Sequence, residues 1–581
     1  MSEERRITKL WERYQSGKSY QAEMNFLDLF PLCVDFKEGR QWPPATKATK
    51  HLPRPVFNIC EKYVRTKRAN ILNQTVKMVF TPAEGNDDPL AAEFESKGAK
   101  AYTDFAENLW KEIDQDDLNE DCVDDAATLG TGILHYYWDA NASGGHRYPF
   151  SGALRGEVLD PLTVMFGNPQ ETDVQQQPYI LIATKVLVRD VKRMAEEEGL
   201  PESEIALICA DEEEPDTYIA STFINERERK CTLITMYYRD HGLVRYDRAT
   251  KTVVVVSGRS LTPGIPDRKG KKKRDEGEET PDGMQLYPIA VMPWQKRKRS
   301  IYGIGEVESM IPAQKAINWL MGMNILSVQD TAWPKLLVKP GALRQEVTNA
   351  PGEIIEDHSP QGNGLAYLRG AGLGTGATEL TDKLLDLLQY SSGVSEVVSG
   401  EPFTATMAAS AIIALQNQAK QPIENIQNRF YRVIRDVGRI WEEFFKFYYT
   451  QPRQMLVETV TGEDGTVVFV GTDFAQESFH LEIDVGAGSE FSESLSVATL
   501  DKLFDAGHID LDTYIELAPK NVMPFKEQLK RRIEQQREQQ AVGAPQEAPQ
   551  GAPIDMPQGA APLGVPLPET PSIPPIRGVS V

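Results

Sequence analysis

The chain has 581 residues, with 63 Lys and Arg against 85 Asp and Glu, so its formal net charge is −22. Hydrophobic residues make up 40% and charged residues 25%, which is ordinary for a globular protein and excludes collagen-like, disulfide-scaffold and fully disordered classes. The acidic balance also argues against a protein that coats nucleic acid, because such proteins normally carry a basic face and a high pI.

The first 130 residues predict mostly helical structure. Apolar residues three and four positions apart indicate helices at 3–30 and 56–73. VKMVFTP (76–82) indicates a strand closed by Pro82, and residues 89–128 an acidic helical region.

Residues 130 to 260 predict a sheet-rich region with one or two short helices near 189–210. Short runs of β-branched and aromatic residues alternate there with turns. The predicted strands are 133–138, 157–166, 179–188, 231–238 and 252–256. A polar loop (262–283) and sheet-like sequence (284–294) follow.

Helical patterns dominate from residue 303 onward. Helices are predicted at 303–330 and 377–391, with a loop-rich segment (333–376) between them. The clearest periodicity, averaging about 3.6 residues, spans 408–449 and predicts one long helix with a kink at Pro422.

The C-terminal part predicts strands, then short helices, then a tail. The strands are 466–471 and 479–485, and the helices are 494–505 and the highly charged 523–540. The last 41 residues hold 10 Pro and 5 Gly, which predicts disorder over 541–581.

Motifs for catalysis and cofactor binding fail on inspection. The five cysteines are scattered without a CxxC pair, and the seven histidines are isolated, which argues against a disulfide framework or a zinc site. SGKS (16–19) lacks the first glycine of a P-loop, because position 12 is Glu. GLGTGA (372–377) matches GxGxxA but no clear strand precedes it, so a flexible Gly-rich hinge is favoured. We therefore predict no cofactor, no metal and no enzymatic activity.

Charged blocks are interpreted first as solvated surface. The carboxylate cluster at 114–125 has a magnesium site as its alternative, and RKGKKKR (268–274), neutralised at once by DEGEE (275–279), has a nucleic-acid patch as its alternative. A further acidic block is DEEEPD (211–216). The N-terminus has no apolar stretch of a signal peptide, and the cysteine usage fits a reducing compartment.

Several segments, in order, resemble the portal proteins of tailed bacteriophages, particularly the short-tailed podovirus type. They are FKEGRQWP (36–43), RPVFNICEKYVRTKRANILNQ (54–74), the long segment 287–327 with its Pro-Ala-Gln and Ile-Asn, SGVSEVVSGEP (392–402), and the Ala-rich start of 407–438. The resemblance covers about residues 36–505. The C-terminus departs from the pattern, because only 523–540 could form part of a helical barrel.

The resemblance implies an α+β portal-type fold with the following parts. They are a wing at 1–300, helical at first and sheet-rich over 130–290; a stem of two helices at 303–332 and 377–392; a loop-rich clip at 333–376; a tunnel loop at 393–406; a long kinked helix at 407–450; a helical crown at 451–540; and the disordered tail at 541–581.

The resemblance implies a homo-oligomeric ring, usually of twelve subunits, at one capsid vertex of the virion. Double-stranded DNA passes through it during packaging and ejection. Expected partners are the terminase large subunit, major capsid and scaffolding proteins, and a head-completion or tail adaptor protein, with no membrane. Assembly is expected in the host cytoplasm, and the energy for DNA movement would come from a separate ATPase.

Two sets of residues are expected to serve this channel. The tunnel-loop set is Gly393, Glu396, Ser399, Gly400, Glu401, Phe403 and Thr404. The set for transient DNA contact in stem and clip is Lys315, Lys335, Lys339, Arg344 and Lys383, each of which could equally be an ordinary surface cation. Pairing between the acidic 114–125 and the basic 296–299 of adjacent subunits is a further hypothesis.

Two other functions stay open at this point. One is a cytoplasmic structural scaffold or adaptor without a DNA channel, and the other is a nucleic-acid packaging enzyme such as an ATPase or nuclease. A largely acidic body is compatible with a conduit that lets DNA pass without gripping it.

Overall fold

The computed structural model describes most of the first 485 residues and isolated stretches beyond them. The described residues are 3–83, 89–145, 147–211, 229–265, 282–332, 335–343, 356–359, 361, 364–368, 375–392, 409–456, 466–485, 497, 500–504, 506–518, 529 and 532–533. The chain divides into two units, Met1–Glu490 and Phe491–Val581.

The N-terminal helical region contains three helices. The predicted helix 3–30 is two helices, α1 (Glu3–Glu23) and α2 (Phe26–Lys37), because Asn25 between them takes a left-handed conformation with φ 59°. The predicted helix 56–73 is confirmed as α3 (Ile59–Leu72), whose Asn58 cap accepts a hydrogen bond from the Glu61 amide.

The predicted acidic helical region 89–128 is confirmed as two helices. They are α4 (Pro89–Glu112) and α5 (Gln115–Leu129), and the break falls at Asp114, where φ is 52°. The predicted strand β1 (Val76–Pro82) precedes them.

A three-stranded antiparallel sheet has the order β3-β2-β9. Its strands are β2 (Thr131–Gly144), β3 (Phe150–Leu159) and β9 (Ile289–Pro293). The predicted strand 157–166 is wrong as a single element. It ends at Leu159, and Pro161, which cannot donate to a strand ladder, lies in the turn before β4 (Val164–Phe166).

A five-stranded antiparallel sheet has the order β4-β5-β6-β7-β8, so its strands are neighbours in sequence order. The other strands are β5 (Tyr179–Leu187), β6 (Lys230–Asp240), β7 (Leu243–Ala249) and β8 (Val254–Ser260). Sequence analysis missed β7, which follows a tight turn where His241 and Gly242 both have positive φ.

Helices cover both faces of this sheet. Leu10 and Tyr14 of α1 pack against Leu181, Ile234 and Met236 on one face. On the other face lie α6 (Val188–Glu197) and α7 (Glu202–Ile205), with Val191 and Ala195 buried against the sheet.

The predicted helix pair around the loop-rich segment is confirmed. The helices are α8 (Glu306–Ala332) and α9 (Thr375–Ser392). The segment between them is not only loop, because β10 (Lys335–Val338) pairs with β11 (Leu365–Leu368). These strands are too short for a clear alternating pattern.

The predicted long helix is confirmed as α10 (Ala409–Tyr448), and Pro422 lies inside it. Its C-terminal half carries the largest core, where Phe430, Val437, Trp441 and Phe444 are at most 4% exposed. None of the helices in the part of the chain that the structure describes is long and apolar enough to cross a membrane.

The description of 451–540 as helical is wrong for its first part. Three strands lie there: β12 (Arg453–Leu456), which sequence analysis missed, β13 (Thr466–Phe469) and β14 (Phe479–Val485). β14 pairs with β1 over seven residue pairs, which joins this segment to the N-terminal half of the chain.

The second unit is described over short stretches. Residues 500–504 are helical, as predicted, and α11 spans Leu511–Leu517 with Asp510 as its cap. Most of the predicted helix 523–540 and all of the predicted disordered tail 541–581 lie outside the described residues.

Candidate functional site

The candidate site is the helix pair α8–α9, and α8 begins at a close approach of two glycine turns. A Cβ at Gly303 would lie 2.2 Å from the backbone oxygen of Gly130, and one at Gly305 would lie 2.7 Å from that of Thr128. The Gly303 amide also donates to the Thr131 hydroxyl at 2.9 Å. Only residues without a side chain allow the start of α8 to sit this close to the end of α5.

A buried ion pair holds the first residue of α8. Lys67 Nζ lies 2.7 Å from Glu306 Oε1, and the two side chains are 6% and 4% exposed. The indole of Trp294 donates to the other oxygen, Glu306 Oε2, at 3.0 Å. Both carboxylate oxygens are therefore paired, which a buried charge requires.

A network of side-chain amides holds the next two turns of α8. Gln314 Nε2 donates to the Phe57 carbonyl at 2.6 Å, and Gln314 Oε1 accepts from the Ile59 amide at 3.2 Å. One turn later, Asn318 Nδ2 donates to Gln41 Oε1 at 2.6 Å. All three amide side chains are buried.

The same network closes on the segment before α3. Gln41 Nε2 donates to the Phe36 carbonyl at 2.8 Å and to Asn58 Oδ1 at 3.1 Å. Three of the short segments that carry the family resemblance, 36–43, 54–58 and 312–318, therefore meet through hydrogen bonds. Sequence analysis assigned no role to these amides, although buried amides at i and i+4 on a helix, such as Gln314 and Asn318, were a readable signal.

The aromatic residues of these segments form an exposed groove. The rings of Trp42 and Trp319 lie 5.7 Å apart, and Trp319 is 53% exposed. A cavity of about 190 Å³ beside them is lined chiefly by apolar groups, including Pro43, Pro53 and Met323. A helix fixed on one side thus presents large apolar side chains on the other.

α9 packs on α8 with only part of its surface. Leu388 joins Cys60, Tyr63, Met310 and Ile317 in a small buried cluster. Burial raises the pKa of the Cys60 thiol to about 12, which keeps it neutral. Other α9 leucines are outside this cluster and exposed: Leu380, Leu385 and Leu387.

The predicted DNA-contacting cations fall in different places. Lys315 and Lys383 are exposed on α8 and α9, and Lys339 is exposed just after β10. Lys315 Nζ lies 5.4 Å from the centre of the Phe36 ring. Lys335 lies on β10, but its side chain is outside the described residues, as is all of Arg344.

The predicted tunnel loop lies wholly outside the described residues. This applies to Gly393, Glu396, Ser399, Gly400, Glu401, Phe403 and Thr404, because description ends at 392 and resumes at 409.

The acidic cluster at 114–125 is partly matched by cations of its own chain. Asp124 forms ion pairs with Lys37 and with Arg68, and Arg68 also reaches Glu120 at 3.3 Å. Burial and the neighbouring carboxylates raise the pKa of Asp121. Among the described residues, no group of three or more His, Cys, Asp or Glu side chains is placed to hold a metal ion.

The basic stretch 296–299 also has a partner within the chain. Arg297 lies 3.6 Å from Glu308 on the first turn of α8. Neither this stretch nor 114–125 is thus reserved for a neighbouring subunit.

Comparison with known proteins identifies one family. No curated protein matches the chain. The family model described as phage P22-like portal protein matches residues 275–562, almost half of the chain, including β9, α8, α9 and α10. This stretch holds the anchored helix pair and follows the order of segments that carries the resemblance. By this match the chain belongs to the P22-like portal proteins of bacteriophages.

Proposed function

We propose that this protein assembles as a closed ring at one capsid vertex. Its centre is the channel for genome packaging and ejection, and its outer surfaces receive the packaging motor and the tail. The family match supports a portal role in the virion and a non-catalytic one. In this assignment α8 and α9 are the stem, the strands between them belong to the clip, and the chain N-terminal to α8 is the wing.

The observation that carries the proposal is the one-sided anchoring of α8. Its N-terminal turns are fixed by the Lys67–Glu306 pair and by the amides of Gln314 and Asn318. Further along, Trp319, Met323 and Val328 are 53%, 49% and 66% exposed. Apolar side chains in such a row favour burial against another protein surface, and around a closed ring that surface is the next copy.

The charge of the chain supports passage of DNA rather than retention. Each phosphate that a protein neutralises adds affinity that depends steeply on salt. The helix pair α8–α9 offers two exposed lysines, Lys315 and Lys383, in a chain of net charge −22. We assign these two, with Lys339, to transient contact with DNA, and Lys335 and Arg344 to the same role in the clip.

Electron microscopy of the purified full chain tests the ring. The expected result is rings with a central hole in negative stain, with a mass in solution that is a whole multiple of 65 kDa. Monodisperse monomers at high concentration would overturn the proposal.

A matched pair of variants tests the role of α8. Met323→Glu places a charge in the exposed apolar row, and Leu207→Glu makes the same change at a side chain that is 56% exposed elsewhere. We expect Met323→Glu to abolish rings and Leu207→Glu to leave them intact. Equal ring yields would remove α8 from the interface.

A further inference from the structure

A pocket between α1 and the five-stranded sheet is strongly basic. Its volume is about 430 Å³, and its charged lining is Arg6, Lys9, Arg13, Arg239 and Asp247. Four cations thus face one carboxylate in a chain whose net charge is −22. This local excess is the reverse of the chain's overall balance.

The carboxylate is already engaged with neutral groups. Asp247 Oδ1 accepts hydrogen bonds from the Gly258 amide at 2.6 Å and from the Tyr238 hydroxyl at 3.3 Å. Within the described part of the chain, none of the four cations forms an ion pair with it.

The cations are held in place by uncharged partners. The Arg13 guanidinium lies 4.2 Å from the centre of the Tyr179 ring and donates to the Met236 sulfur at 3.1 Å. Arg6 donates to the Ser257 hydroxyl. Arg239 donates to Gln175 Oε1 at 2.9 Å and to the Gln285 carbonyl at 2.9 Å.

The pocket is therefore preorganised for an anionic group. The guanidinium groups are oriented by rings, a sulfur and neutral oxygens, and in the part of the chain that the structure describes none of the four cations lies within ion-pair distance of a carboxylate. Fixed guanidinium groups bind carboxylates in a charge-assisted geometry that is stronger than a neutral hydrogen bond.

The chain itself carries an acidic segment of matching charge at the other end of this sheet. Asp211 accepts from the Thr232 amide at 2.7 Å and pairs with Lys185 at 2.8 Å. Glu212, Glu213, Glu214 and Asp216 follow it in the sequence. Thr232 lies at the start of β6, whereas Met236 and Tyr238, which line the pocket, lie four and six residues further along.

The two charged features lie apart along the same strand. Four to six residues of strand span about 13–20 Å, while three residues beyond the fixed Asp211 reach at most about 11 Å. The backbone of Glu212–Glu214 thus starts at one end of the sheet and the pocket lies towards the other. Complementary patches at opposite ends of one subunit are what a head-to-tail contact in a ring requires.

We infer that the basic pocket of each copy binds the acidic segment 211–216 of the neighbouring copy. The inference rests on the proposed ring, and it names a contact between the sheet-rich parts of adjacent subunits that is separate from the α8 surface. The lysine and arginines receive the glutamate carboxylates, and Leu10 and Val254 form the apolar wall of the pocket.

Crosslinking from the pocket tests which segment occupies it. Lys9, an exposed residue of the lining, is replaced by the photoreactive benzoylphenylalanine in the full chain, and crosslinked peptides are mapped by mass spectrometry. Mixing ¹⁵N-labelled with unlabelled chains before assembly separates contacts between copies from contacts within one. Arg5→benzoylphenylalanine is the matched control, because Arg5 is exposed on α1 but about 100° around the helix and outside the pocket lining.

The expected result is a crosslink from position 9 to 211–216 of another copy, at least about fivefold stronger than from position 5. A crosslink to this segment within the same chain, to another segment such as 275–279, or equally from both positions would overturn the inference.

Charge exchange gives a second, functional measurement. Lys9→Glu and Glu213→Lys are each expected to weaken ring assembly about tenfold at low salt, and the loss is expected to shrink as salt screens the charges. Both changes in one chain restore an attractive pair and should restore assembly, which a folding defect would not do. Failure of the wild-type chain to form rings would refute the proposed function, whereas rings that assemble equally well in all variants would refute this contact alone.

Discussion

The buried pair Lys67–Glu306 is predicted to dominate the stability of the start of α8. The variants are Lys67→Met, Glu306→Gln and their combination. Each single change leaves one charge buried without its partner, because the side chains are 6% and 4% exposed and lie 2.7 Å apart. Removing one partner of such a pair costs about 3–5 kcal/mol.

The double variant distinguishes the pair from two separate contributions. Met and Gln together leave no buried charge, and the amide oxygen introduced by Glu306→Gln would still accept from the Trp294 indole, whose nitrogen lies 3.0 Å from the Glu306 carboxylate. If the single changes cost about 3 kcal/mol each, we expect the double variant to cost about 3 kcal/mol instead of about 6, a coupling near the upper end for adjacent groups.

Urea unfolding followed by tryptophan fluorescence measures these differences, since Trp294 is fully buried against the pair. Single variants that lose less than about 1 kcal/mol, or a double variant equal to the sum of the singles, would refute the reasoning. Either result would mean that solvent reaches the pair and screens it.

Three further predictions concern the same anchoring. Gln314→Met keeps the volume of the side chain but leaves the Phe57 carbonyl and the Ile59 amide unpaired, so we expect a loss of about 2–4 kcal/mol and faster hydrogen exchange at Ile59; unchanged exchange would contradict the role of the network. Gly303→Ala would bring a Cβ to 2.2 Å from a backbone oxygen and should cost more than about 3 kcal/mol in a thermal melt, whereas the control Gly199→Ala, with open space but φ +74°, should cost about 1 kcal/mol. Burial raises the pKa of Glu443 from 4.5 to about 7 although two backbone amides donate to it. Its contribution to stability is therefore fully present below pH 4.5 and is lost as the pH rises to about 7, by up to about 3 kcal/mol. Glu443→Gln should flatten this dependence and raise the melting temperature at pH 8 but not at pH 4, and an unchanged pH profile would refute the assignment.

The sequence predicted the long elements well because their periodicity is set by burial over many turns. α10 repeats its apolar positions through Phe430, Val437 and Phe444, and all three are in the core. The predicted bounds 408–449 match Ala409–Tyr448 almost residue for residue. The same holds for α3 and β1.

The failures fall where one residue decides the geometry. Asn25 and Asp114 take left-handed conformations that split predicted helices, and nothing in the surrounding periodicity announces this. β12 and β10 are four-residue strands whose partners, β13 and β11, lie far enough along the chain that no local pattern marks them. Short strands gain their stability from pairing, which single-sequence patterns do not contain.

The candidate site was predictable in its location but not in its construction. The segments around Gln41, Asn58 and Gln314 stood out in the sequence, yet their hydrogen bonds join residues more than 250 positions apart. Such contacts arise only after α8 packs on α3. The acidic cluster at 114–125 shows the converse, because its neutralisation by Lys37 depends on α2 lying beside α5.

Symmetry constrains how many cations a channel-lining helix of this kind can carry. In a ring, every lysine of the chain recurs once per copy, so that a single lysine at the channel wall already gives as many possible phosphate contacts as there are subunits. A protein that makes six to ten phosphate contacts loses about 10³–10⁵ in affinity between 50 and 200 mM salt, which shows how tightly such a set holds DNA at low salt. Two or three exposed lysines per chain, such as Lys315 and Lys383, are thus ample to centre a duplex, and more would retain it. The excess of carboxylates elsewhere in the chain follows the same logic, because it keeps surfaces outside the channel from competing for the same DNA.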